Sequence, residues 1–251
     1  MALKLGTKFL FHRLLKAMKP DLVCDIGSMD ASDARRFRRF LPHARIIAFE
    51  GNPDNIASLR QDERLRKNRI DLQGSLVGSR NGKQKFFIEN LSEGEETEDV
   101  RRGISSTRIR TRNSLGSAAI EIDAVRLDTF IRSLDIVPDS VALWIDVEGA
   151  AYEVLEGIEK VCDRIKLIHV EVETEAFWEG QRLKADVEDL ARSMGFITLA
   201  RGRFEPQHDL VLMNGNTFSE SPFKYKRMLY AAWILTNRLK IFSRAAYNIT
   251  I

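Results

Sequence analysis

The sequence predicts an α/β fold: a mostly parallel sheet with helices on both faces and an antiparallel last strand. Three observations carry this. Between residues 22 and 76, strand-like apolar runs alternate with helical stretches in the order strand, helix, strand, helix, strand, the spacing of right-handed crossovers. Leu143–Gly157 (LWIDVEGAAYEVLEG) passes from a β-branched and aromatic run straight into a helix, as a buried strand feeding a crossover does. The last two apolar runs, Phe196–Ala200 and Asp209–Met213, lie only about eight residues apart. That is too short for a helical crossover, so they pair as an antiparallel hairpin.

Taken in order, Lys8–Met18 reads as a short apolar-basic helix that Pro20-Asp21 ends. Leu22–Gly27 is the first strand and its turn, with Asp30 or Ser32 as N-cap of the helix Ala34–Leu41, whose arginines form a solvated face. Ala44–Phe49 is the second strand. Pro53 suits the first turn of the next helix, which runs through Asn55–Asn68, and Arg69–Leu76 is the third strand. The pattern then changes. Ser79-Arg80-Asn81-Gly82 is a turn, Lys83–Glu89 and Ala118–Val125 read as strands, and Ser92–Asp99 is an acidic loop. This insertion, 77–125, is placed to cover the sheet edge as a lid. Glu153–Cys162 and Leu183–Met194 are helices flanking the strand Ile165–Val172. Tyr225–Tyr247 has apolar residues at steps of three and four with a Lys/Arg polar face. It is a helix packed on the body or on a second copy of the chain, or alternatively a membrane-surface helix.

The 251 residues are 44% hydrophobic, enough to bury a real core, and carry a formal charge of +3. That small number hides a division. Residues 1–20 and 221–251 hold eleven bases and no acid, leaving 28 bases against 36 acids in the body. An acidic body argues against nucleic acid as partner, while the basic ends suit an anionic membrane surface. Cys24 and Cys162 sit in apolar contexts and read as reduced core residues. The N-terminal apolar stretch is broken by His12, Arg13 and Lys16, unlike a signal peptide, so a cytoplasmic protein is expected, at the inner face of the membrane if the basic ends engage it.

The site chemistry starts from Asp25 and Gly27 at the end of the first strand and Glu50 at the end of the second. An acid at the second strand end can accept two ribose hydroxyls, and a glycine after the first lets the backbone approach a ligand. A dinucleotide would need the glycine turn G-x-G-x-x-G. Here Gly27-Ser28-Met29-Asp30-Ala31-Ser32 lacks the later glycines, and Asp30 and Asp33 would repel phosphates. Acids suit a cation, and S-adenosylmethionine carries an ammonium and a sulfonium. A nucleotide-cofactor oxidoreductase is the disfavoured alternative.

Asp25-Ile-Gly27-Ser28, Ala48-Phe49-Glu50-Gly51-Asn52-Pro53, Gly103-Ile-Ser105-Ser106, Leu127-Asp128-Thr129 and Ile145-Asp146-Val-Glu148-Gly149-Ala150, with Val154-Leu155-Glu156-Gly157, occur in that order. Together they resemble the FkbM family of S-adenosylmethionine-dependent methyltransferases, from about residue 21 to 214. The resemblance implies a class I methyltransferase fold, seven strands with the last antiparallel, and methyl transfer to a hydroxyl of a sugar, glycan or related natural product. It implies cofactor contacts at Asp25, Gly27, Ser28, Asp30, Glu50, Gly51, Asn52, Ser75 and Asp146. The family's usual Asn-x-Gly is replaced by Met29-Asp30-Ala31, which keeps a third reading open, a catalytically inactive binding protein on this fold.

For the chemistry, Asp146 is the expected base or metal ligand, with Glu148 supporting it or capping the next helix. Glu171 and His169, on one face of the neighbouring strand, are second candidates. Asp146 with Glu171 offers oxygen ligands for Mg²⁺, although no motif with metal-ligand spacing is present. His208 is a further candidate to reach the substrate from a loop. Ser105, Ser106, Thr107, Arg108 and Arg110 suit a hydroxyl-rich or phosphorylated acceptor. The expected organisation is a basic N-terminal helix (1–20), a methyltransferase domain (21–214) and a basic amphipathic C-terminal segment (215–251).

Overall fold

A computed structural model describes residues 3–4, 6–89, 103, 105–111, 117–202, 206–221 and 224–229. Its main sheet holds β2 (Leu22–Ile26), β3 (Arg45–Phe49), β4 (Ile70–Gln73), β8 (Val141–Ile145), β9 (Ile165–Glu173), β10 (Phe196–Arg201) and β11 (Gln207–Asn214). The two-residue β1 (Leu3–Lys4) adds an eighth strand at one edge, giving the order β1-β10-β11-β9-β8-β2-β3-β4. β11 runs antiparallel to both β9 and β10, and the remaining pairs are parallel. This is the seven-stranded, mostly parallel arrangement expected, with the extra strand beyond it.

β2 and β8 are buried at every position, which is why β8 reads as an unbroken apolar run and β2 as one interrupted only by Asp25, rather than as alternating strands. Each face carries its own core. Leu143, Ile145, Ile168 and Val170 pack beneath α6 (Ala151–Glu156) and α7 (Lys184–Ser193). Val23, Trp144, Leu167 and Val211 pack beneath α1 (Thr7–Met18) and α2 (Ser32–Phe40).

Four expectations are corrected. The single helix Asn55–Asn68 is two helices, α3 (Pro53–Gln61) and α4 (Glu63–Lys67). Asp62 between them is extended and accepts the Arg64 N–H, restarting the chain as an N-cap. The third strand stops at Gln73, and Leu76–Val77 (β5) leaves the main sheet. It joins β6 (Gly82–Glu89) and β7 (Ser117–Val125) in a second sheet of order β5-β7-β6, which is the inserted region. The stretch Glu153–Cys162 is a short helix that ends at Gly157, followed by a single 3₁₀ turn, Glu159–Val161. Nor is the basic face of α2 merely solvated. Arg38 donates to the carbonyls of Leu41, Pro42, Ala44, Asn68 and Arg69, closing the turns before β3 and β4. The acidic loop 92–99 lies outside the described residues, as does most of 225–247, of which 225–229 are described and helical.

The junction of the two sheets explains two of the sequence motifs without any chemistry. Asp128, on α5 (Leu127–Arg132), is 1% exposed and takes 3.0 Å and 2.6 Å hydrogen bonds from Arg126. Arg126 also donates to the carbonyls of Ser79 and Glu156, tying the inserted sheet to the end of α6. At Gly157 a Cβ would fall 2.4 Å from the Gly78 carbonyl oxygen, so the backbones cross where only glycine fits. Burial alone would push the Asp128 carboxyl up; the Arg126 guanidinium beside it holds it below its ordinary range. Arg126→Met leaves a buried carboxylate unpaired and is expected to cost about 3–5 kcal/mol, read as a fall in the urea midpoint at pH 7. The deficit should shrink as pH drops below about 4, where Asp128 is protonated in both folded and unfolded chains of the variant.

Candidate active site

The carboxyl ends of β2, β3 and β8 open into a cleft of about 600 Å³, its mouth included. In an open α/β sheet this edge is where ligands bind. Gly27 starts the wall. Its φ is +82°, and a Cβ there would lie 1.9 Å from the Asp146 carbonyl oxygen. Gly51 is equally tight, its Cβ direction filled by Leu76 at 2.2 Å. Between them stands Glu50, 6% exposed, whose two oxygens accept the backbone N–H groups of Met29 and Asn52, each at 2.7 Å. Burial still raises its carboxyl above the ordinary value, against those hydrogen bonds. Asn52 caps α3 through Asp54 N and reaches Ser105 Oγ at 3.4 Å.

The turn after β2 keeps a glycine-like path without the glycines. Met29 (φ +46°) and Ala31 (φ +58°) both adopt the left-handed region. Side chains resist that conformation, so other contacts must hold it. Asp25 does much of this. Its Oδ2 accepts Ser28 Oγ at 2.7 Å and Ala34 N at 3.1 Å, pinning the turn to the first turn of α2. Ala31 itself is fully buried.

Gly27, Glu50, Gly51, Asn52, Ser75 and Asp146 therefore meet at one cleft. Asp25 and Ser28 stand behind its wall. Asp30 is turned away, exposed, accepting Ser32 N and lying 3.6 Å from Arg35. Neither Asp146 nor Glu148 caps α6: its N-cap is Ala150, with no side-chain bond. Both acids face the cleft instead. Glu171 accepts Gln207 at 2.6 Å, and His169 is buried, stacked 3.7 Å over Trp144. Both lie on the face of the sheet that carries Asp146, but outside the cleft lining. His208 is inside β11 rather than in a loop, paired opposite Val172.

The inserted sheet supplies what sequence reasoning missed. Leu76, Val77 and Phe86 join Phe49 to make an apolar wall, and Ser105, Ser106 and Thr107 close the far side. Ser106 bridges Phe87 of β6 and donates to the Glu148 carbonyl at 2.5 Å. Arg108 goes to the carbonyls of Glu179 and Gly180 and pairs with Glu153, so it is a brace rather than a ligand group. Arg110 lies over the Trp178 ring. Strand periodicity flagged β6 but could not say that Phe86 faces the cleft, because that depends on how one sheet sits on the other.

The electrostatics are one-sided. Glu50, Asp146 and Glu148 line the cleft, and no Lys, Arg or His is among the described lining residues. Asp146 is open to the cleft but closed in by protein elsewhere, and burial raises its carboxyl. Burial and the neighbouring Asp146 push Glu148 to about 8 and Glu171 to about 9, and burial chiefly lifts Asp25 and Glu173 to about 7. Such a cleft attracts cations and repels phosphates. Among the described residues no three His, Cys, Asp or Glu side chains converge to hold a metal ion, so Mg²⁺ finds no donor set.

The profile of the Methyltransferase FkbM domain matches residues 25–198. The chain belongs to the FkbM methyltransferase family. The curated relative 2-O-methyltransferase NoeI of Sinorhizobium fredii (strain NBRC 101917 / NGR234) is 28% identical over 202 residues, 74% of this chain and 78% of its own. Among solved structures, a putative rRNA-methylase from Clostridium thermocellum is 11% identical, with a TM-score of 0.47 over 85% of this chain and 97% of its own. The N-terminal domain of EvdMO1 with SAH bound is 9% identical, with a TM-score of 0.44 over 83% and 79%. As an FkbM methyltransferase the protein draws its methyl group from S-adenosylmethionine, and the cleft fits that cofactor: apolar on one wall, acidic on the other, bare of bases. No described helix is long and apolar enough to cross a membrane.

The raised carboxyls make a sign-specific prediction. They bind protons more tightly folded than unfolded, so their contribution is full below about pH 4 and is lost as pH rises through 7 to 9. Through these groups the melting temperature of the unliganded protein should fall as pH rises from about 4 to 9. Glu148→Gln, which removes one of these protons, should flatten that slope.

Proposed function

We propose that this FkbM methyltransferase transfers the methyl group to a hydroxyl of a sugar or glycan, with Asp146 as the base. The observation that carries it is the placing of Asp146. It lies in the wall of the acidic cofactor cleft and shares its sheet face with Glu171, on the strand next to it. The name of the relative NoeI, a 2-O-methyltransferase, supports oxygen as the acceptor atom.

Glu50 would take the ribose hydroxyls on the oxygen lone pairs left by the Met29 and Asn52 N–H groups. Phe49, Leu76, Val77 and Phe86 would sandwich the adenine, with Ser75 at its edge. When bound, S-adenosylmethionine supplies an electrophilic methyl whose bond to sulfur breaks as the acceptor oxygen takes it. Asp146 orients the acceptor hydroxyl and receives its proton on a carboxylate oxygen. Glu148, pushed up to about 8, is largely protonated near pH 7 and can donate to a second acceptor hydroxyl. Ser105, Ser106 and Thr107 add hydroxyls at the same rim.

Calorimetry should show S-adenosylmethionine binding and no binding of NAD; the reverse would restore the oxidoreductase alternative. With the methyl-³H cofactor and a panel of methyl glycosides, Asp146→Asn should lose about 10²–10⁴ in kcat. Asp30→Asn should leave turnover within about twofold, because that side chain faces solvent. Cofactor binding with no transfer to any glycoside, oligosaccharide or other hydroxyl compound would favour the inactive binding protein.

A further inference from the structure

Six acids from the surrounding strands, α2 and its own loop act electrostatically on Asp146. Asp25 reaches it from β2, Asp33 from α2, Glu171 and Glu173 from β9, Asp209 from β11, and Glu148 from its own loop. A base in that company would hold its proton and be useless. Two basic side chains act on it electrostatically in the opposite sense, Lys8 and His169. His169 is 1% exposed, between Phe11 and Trp144, and its Nε2 lies 3.6 Å from Asp209. Its neighbour is therefore Asp209 first.

Lys8 is differently placed. Thr7 Oγ1 donates to Asp209 Oδ2 at 2.8 Å, seating the first turn of α1 on the end of β11. The next residue then swings its Nζ to 5.3 Å from the centre of the Trp144 ring. Trp144 precedes Asp146 by two positions, so both point to the same face of the sheet. The ammonium thus stands over the ring of Trp144, the same-face neighbour of Asp146, where its field acts on that carboxyl. Leu10, Phe11, Leu14 and Leu15 are all fully buried and anchor the helix that carries it. All of α1 lies ahead of the span matched by the family, 25–198.

We propose that Lys8 is a positioning residue for methyl transfer, its ammonium keeping Asp146 in the carboxylate form from across the Trp144 ring. The inference rests on Asp146 being the base. Lys8 is exposed, so its loss leaves packing intact, and the effect on Asp146 is electrostatic.

The test titrates Asp146 directly in the full chain by carboxyl ¹³C resonance, assigned by its disappearance in Asp146→Asn. Lys8→Met should raise the Asp146 midpoint by about one pH unit, and Lys8→Arg should restore it. On whichever methyl glycoside the wild type methylates, the acid limb of kcat should move up by the same amount in Lys8→Met, a tenfold loss below the midpoint. An unshifted Asp146 midpoint in a folded Lys8→Met protein overturns the inference and leaves Asp146 as base untouched. Full activity in Asp146→Asn overturns the base itself, and the role of Lys8 in transfer falls with it, whatever the titration shows.

Discussion

The site depends on one contact: the turn after β2 passes so close to the end of β8 that the residue there can carry no side chain. Gly27 lies against the carbonyl of Asp146, and everything on the cleft wall takes its place from that crossing. It brings the second-strand acid, Glu50, within reach of the Met29 N–H. It also sets the backbone of Asp146 at the cleft wall while the side chain opens into it. A wider crossing would let water between the two strand ends and dissolve the electrostatic character of the cleft.

That character is a concentration of carboxylates with no base in the described lining. Acids at such density are costly to keep charged, and burial raises all three lining carboxyls, Glu148 to about 8. Protonated and ionised carboxyls then coexist within one site, one set donating hydrogen bonds and the other accepting them. This division suits an acceptor hydroxyl, which both donates and accepts.

Much of the fold was legible in the sequence. β2, β3 and β8 announced themselves because strands buried on both faces read as mainly apolar runs, interrupted only by Asp25 in β2 and opened by the exposed Arg45 in β3. The hairpin of β10 and β11 followed from loop length alone. Asp62 was missed as a break because an aspartate inside a helical period looks like surface charge until its neighbour's N–H is seen. At the site, Gly27, Glu50 and Asp146 were readable, since strand ends in a parallel sheet converge. Asp30 was not, because side-chain direction in a turn follows from φ, and Met29 and Ala31 take values their residue types do not advertise. Phe86 and Lys8 arrive from elements whose docking is a long-range fact with no local signature.

The two walls of the cleft belong to different sheets. Phe49 and Glu50 close β3 of the main sheet, whereas Leu76, Val77 and Phe86 are carried by the inserted one. Among the described residues no backbone ladder joins the two sheets; Arg126, the glycine crossing at Gly157 and the Ser106 bond to the Glu148 carbonyl help to hold the inserted region to the main body. The cleft is therefore a seam between two sheets. Its width is set by side-chain packing between two stiff plates, so ring size on one wall can change over evolution without disturbing a single strand pairing on the other.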